Sequence, residues 1–316
     1  MKPPFERVGV VGSGAVGTCY GARIALAGAE VRFLMRGDLE AVRRRNSVVI
    51  HDKSGTSELR PVAAFGSAAE IGPVDLVIVA LKTTSSSELR PLVEPLLGPS
   101  TAILTLQNGI GADEFLAAMF GADRIMGGLV FMAISRTGPG EATCYNAGMV
   151  RIGEFGGPAR PRTRVLAALL GAAGMKVEVV DRLLEARWTK LVWNIPFNGL
   201  AIAEGGITTD KICADPRLAA EARALMVEVQ SAAARFGVII PDEFIQKQFD
   251  VTPPMGAYQP SSLIDYLAGR EVEVEAIWGE PLRRAQAAGV AMPRLSALYS
   301  VLLEKGGRRR PPLIPR

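Results

Sequence analysis

The amino-terminal half of this 316-residue chain is organised by residues 8–17, which read VGVVGSGAVG. A short apolar run leads directly into a glycine-rich turn, and small and apolar residues at helical spacing follow, which predicts a buried strand, a tight turn and a helix. The turn matches the pattern GxGxxG at Gly12, Ser13, Gly14, Ala15, Val16 and Gly17. Because a helix that begins there presents free backbone N–H groups to an anion, we expect these six residues to hold the pyrophosphate of a dinucleotide.

Further apolar runs extend the predicted sheet. They lie at residues 30–35, 74–81, 101–106, 127–134, 149–155 and 176–180. The longer runs are apolar throughout and alternate with helical patterns, which is typical of parallel strands buried on both faces. The sequence therefore predicts an α/β domain with a parallel sheet over residues 1–181.

The pattern changes after Asp181. Long helical periods occupy residues 183–203, 215–236, 260–289 and 293–305, and strand-like runs almost vanish. Residues 182–316 are therefore predicted to form an all-helical domain. The tail from Gly306 to Arg316 is rich in Gly, Pro and Arg, and we expect it to be poorly ordered.

Composition limits the classes of partner. The net charge is +4, and the basic residues are scattered apart from two arginine triplets. Scattered cations argue against a nucleic-acid partner and suit a protein whose ligands are small anions. No uninterrupted apolar run is longer than that from Leu76 to Leu81, which is far shorter than the roughly 20 residues that a membrane span needs, so no membrane contact is expected.

The cysteines and the histidine limit the chemistry. Cys19, Cys144 and Cys213 form no CxxC pair and show no metal-ligand spacing. This usage indicates reduced thiols in a cytoplasmic protein without a metal site. The single histidine, His51, disfavours a Ser-His-Asp triad, and we interpret it as a loop residue.

The end of the second strand selects the nicotinamide cofactor. An acid there would hold the ribose 2′-hydroxyl of NAD, whereas a guanidinium suits the 2′-phosphate of NADP. Here the strand ends in Met35-Arg36, which predicts NADPH, and Asp38 is the competing candidate. The alternative is that Arg36 is a solvated surface charge.

Polar residues follow two of the predicted strands. Lys82 follows the third apolar strand, and Gln107-Asn108-Gly109 follows the fourth. Ligands of open α/β sheets bind at the carboxyl ends of the strands. We therefore expect Lys82 to supply positive charge near the cofactor, and Asn108 to hydrogen-bond both cofactor and substrate.

A polar face runs along an otherwise apolar helix at residues 188–198, WTKLVWNIPFN. Lys190, Asn194 and Asn198 recur at spacings of four and therefore lie on one face, one above another. A solvent-facing stripe is the default interpretation of such spacing. Because this stripe is narrow and rich in amides, it favours a ligand-binding cleft. The polar segment from Ser261 to Glu275, taken alone, indicates a solvated helix face.

Together these motifs resemble the ketopantoate reductase (2-dehydropantoate 2-reductase) family over nearly the whole chain. The matching features are the GxGxxG turn, Arg36, Lys82, Gln107-Asn108-Gly109, Ile152-Gly153-Glu154, the W-x-K-L-x-x-N-x-x-x-N segment at 188–198, Ser261, and Val272-Glu273-Val274-Glu275. The resemblance implies a Rossmann-type parallel-sheet domain followed by an all-helical domain.

The resemblance also implies roles for individual residues. Lys190 is expected to be the general acid, with Glu273 beside it as a second catalytic residue that also touches the cofactor. Asn194, Asn198 and Ser261 would bind the substrate, and Asn108 would touch both substrate and cofactor. Ala133 would offer a backbone contact to the cofactor.

The reaction implied is the NADPH-dependent reduction of ketopantoate to pantoate, a step toward coenzyme A. Two departures from the family's pattern leave the substrate open: Gly199 replaces a Pro, and Thr208-Thr209-Asp210 replaces an Asn-Gly that contacts substrate. Thr208 or Thr209 is the predicted substitute, and Thr208 is placed among the substrate-binding residues. The alternatives are a reductase of another small 2-oxo acid and a non-catalytic NADP(H)-sensing protein. A homodimer is left open.

Overall fold

The computed structural model describes residues 5–146 and 148–306 and divides the chain into two compact units. The first unit comprises the chain up to Gln107 together with Ala112–Leu183. The second comprises Asn108–Gly111 together with the chain from Leu184 onward. Apart from Gly306, the tail predicted to be poorly ordered lies outside the described residues.

The first unit is built around an eight-stranded sheet in the order β12-β11-β8-β7-β6-β1-β2-β5. The strands are β1 (Arg7–Val11), β2 (Glu30–Leu34), β3 (Val48–Asp52), β4 (Gly55–Leu59), β5 (Ala63–Phe65), β6 (Val74–Val79), β7 (Leu97–Thr105), β8 (Ile125–Phe131), β9 (Ile134–Gly138), β10 (Glu141–Cys144), β11 (Met149–Glu154) and β12 (Lys176–Val179). Neighbouring strands pair in parallel except β8 and β11, which are antiparallel. The predicted α/β class with a mainly parallel sheet is thus confirmed.

Helices flank this sheet and make up most of the second unit. They are α1 (Ala15–Leu26), α2 (Leu39–Arg45), α3 (Ala68–Ile71), α4 (Leu89–Val93), α5 (Ala112–Phe120), α6 (Pro161–Ala172), α7 (Leu183–Ala203), α8 (Thr209–Ala214), α9 (Pro216–Ala234), α10 (Asp242–Val251), α11 (Ser261–Leu267), α12 (Glu280–Ala287) and α13 (Pro293–Glu304). Short 3₁₀ turns cover Thr83–Glu88, Glu94–Leu96, Ala122–Arg124 and Pro253–Met255, and a π-helical segment covers Glu275–Gly279. Among the described residues, none of the helices is long and apolar enough to span a bilayer.

A second, four-stranded sheet in the first unit was not predicted. Its order is β4-β3-β10-β9, and β3 pairs in parallel with β10, about 90 residues further along the chain. The interpretation of His51 as a loop residue is wrong, since it lies on β3, where its Nδ1 is 2.9 Å from Thr56 Oγ1. The strands of this sheet are short and partly exposed, so their apolar pattern is too weak to be recognised locally.

The second unit confirms the predicted helical character but not one continuous helix over residues 260–289. The chain leaves α11 where the N–H of Arg270 donates to the carbonyl of Asp265 at 2.8 Å, a closure typical of helix ends. Residues 270–273 are not helical, and the chain re-enters helix only at Val274. Glu273 and Glu275 are each 8% exposed, so this segment is not the solvated helix face that its composition indicates.

The core of the second unit is built on α7. Trp188 is fully buried, and its ring stacks on that of Phe236 with the centroids 5.3 Å apart. Trp278 is also fully buried, and its Nε1 donates to the carbonyl of Ile195 at 3.0 Å. Pro196 lies within α7 and does not end it. This packing holds the polar face of α7 in a fixed orientation.

Candidate functional site

The GxGxxG turn joins β1 to α1 in the geometry that a phosphate site needs. Gly12 has φ +101°, and a Cβ there would lie 2.5 Å from the backbone N of Leu81, so only glycine fits the turn. Gly14, the residue before α1, faces open space where a Cβ would stand. The first turn of α1 carries no acidic residue. The helix N-terminus is therefore sterically and electrostatically suited to a pyrophosphate.

The structure separates the two candidates that follow β2. Asp38 is 9% exposed, and its carboxylate accepts from the guanidinium of Arg136 and from the N–H of Gly140. Arg36 is exposed, and its Nη1 donates to Glu88 Oε2 at 3.0 Å. Asp38 is thus committed to holding the β9–β10 hairpin, and Arg36 is the accessible charge of the pair.

The two other cofactor candidates of the first unit differ in how they are held. Lys82 lies three residues after the end of β6 and is partly exposed, and its carbonyl accepts from the N–H of Ser85 at 3.0 Å. Ala133 uses both backbone groups locally: its N–H donates to Asn146 Oδ1 at 3.1 Å, and its carbonyl accepts from the N–H of Tyr145 at 2.9 Å. Any ligand contact by Ala133 would therefore fall on the second lone pair of its carbonyl.

In the second unit, the structure brings Lys190 together with Asn108. The ammonium nitrogen of Lys190 donates to Asn108 Oδ1 at 2.9 Å, although 82 residues separate them. Asn108 is held by its neighbours, since the N–H of Ile110 donates to the carbonyl of Ala276 at 3.0 Å. A Cβ on Gly109 would lie 2.2 Å from that same carbonyl oxygen, so only glycine permits this approach.

The environment of Lys190 changes its acidity. The pKa of its ammonium group is lowered to about 7: burial is the largest cause, the positive charge of Arg187 acts in the same direction, and the charge of Glu273 opposes the shift. Arg187 is 3% exposed and lies three residues earlier on α7, on the same side of the helix. At neutral pH Lys190 therefore exists in both protonation states, which suits a group that transfers a proton.

The two asparagines on the same face of α7 are both buried, at 8% and 2% exposure for Asn194 and Asn198. Asn198 Oδ1 accepts from the backbone N–H of Ser262 at 3.1 Å, in the first turn of α11. This contact satisfies a free N–H of α11 and holds Ser261, which is exposed at the start of that helix. Asn198 therefore has a structural role that the spacing along α7 did not reveal.

The two departures from the family's pattern have local explanations. A Cβ on Gly199 would lie 2.8 Å from Trp278 Nε1 and 2.7 Å from Leu298 Cδ2, so a larger residue would push Trp278 away from α7. Thr208 is half-buried, and its hydroxyl donates to the carboxylate of Asp210 at the start of α8. The hydroxyl oxygen of Thr208 retains capacity to accept a further hydrogen bond.

Two residues beside these groups were missed by sequence reasoning. Arg187 lies three residues before Lys190, and this spacing could have indicated that the two side chains share one face of the helix. Glu88 pairs with Arg36 across 52 residues of sequence, and no local pattern could have indicated that contact.

Comparison with known proteins extends this match of motifs to the whole chain. Residues 8–157 match the family model "Ketopantoate reductase PanE/ApbA", and residues 182–306 match its C-terminal model. A 2-dehydropantoate 2-reductase of Nostoc sp. is 36% identical over 96% of this chain and 97% of its own.

Solved structures that resemble this chain point to the same family. The 2-dehydropantoate 2-reductase of Geobacter metallireducens GS-15 is 40% identical with a TM-score of 0.91, covering 94% of this chain and 99% of its own. That of Methylococcus capsulatus is 32% identical with a TM-score of 0.87, covering 94% and 96%. With both family models matched in order and relatives above 30% identity along almost its full length, the chain belongs to the ketopantoate reductase family.

Proposed function

We propose that this protein is a 2-dehydropantoate 2-reductase that reduces ketopantoate to pantoate with NADPH. The family comprises NAD(P)-dependent reductases. The observation that carries the proposal is the hydrogen bond from Lys190 to Asn108, because it places an ammonium of near-neutral pKa on a residue of the predicted cofactor-contacting turn. A protein that only sensed NADP(H) would not need a proton donor held in this way.

In this proposal the first unit binds the dinucleotide. The glycine turn and the N-terminus of α1 receive the pyrophosphate, Arg36 receives the 2′-phosphate, and Lys82 adds positive charge. When bound, the cofactor supplies a hydride to the carbonyl carbon of the 2-oxo acid. Ala133 stays in the proposal as a backbone contact.

The second unit supplies the proton and the substrate contacts. Negative charge develops on the carbonyl oxygen as the hydride arrives, and the Lys190 ammonium stabilises that charge and then donates its proton. Glu273 favours the charged form of Lys190. Asn108 orients the ammonium, while Asn194, Asn198, Ser261 and Thr208 offer amide and hydroxyl groups to the substrate.

The proposal also covers the cellular location, the partners and the oligomeric state of the protein. The three cysteines are free thiols, which suits the reducing cytoplasm. Small anionic ligands account for the mild positive charge without a nucleic-acid partner. A measurement of mass in solution would show whether two copies associate as a homodimer.

The experiment that tests the proposal follows NADPH absorbance at 340 nm with a panel of 2-oxo acids. Ketopantoate is expected to give the highest kcat/KM. Turnover of another 2-oxo acid in preference to ketopantoate would favour the alternative substrate. Binding of NADPH without turnover of any member of the panel would favour the sensing protein.

Replacing Arg36 by Ala is expected to weaken NADPH binding by about 10- to 150-fold, since a charge-assisted hydrogen bond contributes about 1.5–3 kcal/mol. Binding of NADH should change little, because NADH lacks the 2′-phosphate. Fluorescence titration of both cofactors measures the effect, with Arg44→Ala, an exposed arginine of the same segment, as the matched control. Equal losses for NADPH and NADH would remove Arg36 from this role.

The rate of reduction should fall as pH rises above about 7, because the reaction needs the protonated form of Lys190 and its pKa is lowered to about that value. Removing the charge of Arg187 by Arg187→Gln raises that pKa, so the falling limb of kcat/KM should move to higher pH. Profiles of kcat/KM against pH for both proteins test this. A limb that stays in place would show that another group limits the rate.

A further inference from the structure

Two cysteines of the first unit meet in its interior. Cys19 lies in the second turn of α1 and Cys144 is the last residue of β10, yet their Sγ atoms are 2.9 Å apart. Their side chains are buried, at 0% and 1% exposure. Both are free thiols, and Cys213, the third cysteine, lies in the second unit. Sequence spacing gave no sign of this pair.

The surroundings make the two thiols unequal. The hydrogen bond between the two sulfurs lowers the pKa of Cys144, with Arg23 contributing in the same direction and burial opposing it. The same hydrogen bond and burial raise the pKa of Cys19. Arg23 lies one turn further along α1, and its Nη2 pairs with Asp52 at 2.8 Å. Negative charge is thus favoured on Cys144, and the thiolate is the reactive form of cysteine.

A buried thiol is ordinarily inert, but Cys144 lies at the edge of the interior. Tyr145 and Asn146 follow it directly and are exposed. Because Cys144 itself is 1% exposed, an oxidant reaches its sulfur through local opening at this end of β10, which favours a small oxidant over a bulky one.

We propose that Cys19 and Cys144 form a redox-active pair that an oxidant of the peroxide class converts into an intramolecular disulfide between α1 and β10. The Cys144 sulfur attacks one peroxide oxygen, the O–O bond breaks, and the released hydroxide takes up a proton to leave as water. The Cys19 sulfur then attacks the resulting sulfenic sulfur, the S–S bond forms, and the S–O bond breaks with loss of a second water. In sum two thiols lose two hydrogens, and one hydrogen peroxide becomes two waters.

The disulfide would also affect the glycine turn that precedes α1. A disulfide brings the two sulfurs to about 2.05 Å, which draws the second turn of α1 toward β10. Thr18, next to Cys19, donates through its hydroxyl to the carbonyl of Ser13 at 3.1 Å, in the glycine turn. Displacement of α1 therefore reaches the predicted phosphate site. This effect rests on the proposed function, and we expect oxidation to weaken NADPH binding by at least about threefold.

The chemistry is tested on the full chain by treating it with hydrogen peroxide, denaturing it, and counting thiols by maleimide labelling and intact mass. The reduced protein should label at all three cysteines, and the oxidised protein at Cys213 alone. In the control Cys213→Ser the labelled thiols should fall from two to none. A peptide map of the oxidised wild-type protein should contain the Cys19–Cys144 cross-link. Three labelled thiols after treatment, a cross-link through Cys213, or oxygen added to the cysteines without a cross-link would each overturn the proposal.

The effect on the cofactor site is tested by NADPH titration of the reduced, oxidised and dithiothreitol-restored protein. Weaker binding that dithiothreitol reverses is expected, and it should be absent from Cys19→Ser under the same treatment. Equal affinities in the reduced and oxidised protein would overturn the regulatory role. If the reduced protein failed to bind NADPH at all, the proposed function would fall, while the thiol count would still decide whether the disulfide forms.

Discussion

Replacing Lys190 by Ala is expected to lower kcat by about 10²–10⁴-fold, the usual contribution of a positioned general acid. The side chain is the proposed proton donor, and the hydrogen bond to Asn108 holds it in place at 2.9 Å. Steady-state turnover at 340 nm, with NADPH and ketopantoate both saturating, measures the loss. Because Lys190 is assigned to the chemical step, the affinity for NADPH should stay near that of the wild-type protein.

The matched control is Lys247→Ala, which removes an exposed lysine from α10 of the same unit. It should turn over like the wild-type protein. Near-normal turnover of Lys190→Ala would contradict the assignment and would mean that Lys82 or a water molecule supplies the proton. A comparison of thermal unfolding for the two variants separates lost chemistry from lost folding.

Removing the terminal hydroxyl of the substrate should reduce kcat/KM far more than removing one of its methyl groups. Ketopantoate carries a carboxylate, a ketone, a quaternary dimethyl carbon and a terminal hydroxyl. An apolar pocket discriminates by only about 1–3 kcal/mol per methylene, whereas a site that hydrogen-bonds a hydroxyl strongly rejects its absence. The comparison uses 3,3-dimethyl-2-oxobutanoate, which lacks the hydroxyl, and 4-hydroxy-3-methyl-2-oxobutanoate, which lacks one methyl.

Thr208 is the predicted partner of that hydroxyl, and its neighbour offers a control. Thr208 is half-buried, whereas Thr209 is fully buried and so out of reach of a ligand at the surface of α8. Thr208→Val should therefore reduce the preference for the hydroxylated substrate, and Thr209→Val should leave it unchanged. Should ketopantoate prove no better than a simple branched 2-oxo acid, the substrate assignment fails, and a broader 2-oxo acid reductase remains.

Oxidation and pH act on different units, so their effects can be separated. Cys19 and Cys144 lie in the first unit, close along the chain to the glycine turn in the case of Cys19. Lys190, which is expected to set the falling limb of the profile of kcat/KM against pH, lies in the second unit. Peroxide is therefore expected to change the affinity for NADPH without moving the falling limb of the pH profile. A limb that shifted on oxidation would indicate that the disulfide also disturbs the second unit.

The amino-acid sequence alone was sufficient for features that depend on neighbours along the chain. The strand–glycine–helix order at residues 8–17 predicted the first βα unit, and the spacing of Lys190, Asn194 and Asn198 placed them on one face of α7. Helical and strand periodicities repeat over a few residues, so they are legible without knowledge of the fold. The same locality explains the miss over residues 260–289, where a helical pattern continues through a break that tertiary packing imposes.

The tertiary structure alone decided which distant groups meet. It paired Lys190 with Asn108 across 82 residues and Cys19 with Cys144 across 125. It also committed Asp38 to Arg136 and Gly140, which left Arg36 as the accessible charge after β2. The physical reason is that such contacts arise when whole elements pack, and the burial that shifts a pKa is a property of that packing. Sequence supplied the residue types of the candidate site, and only the fold could supply their partners.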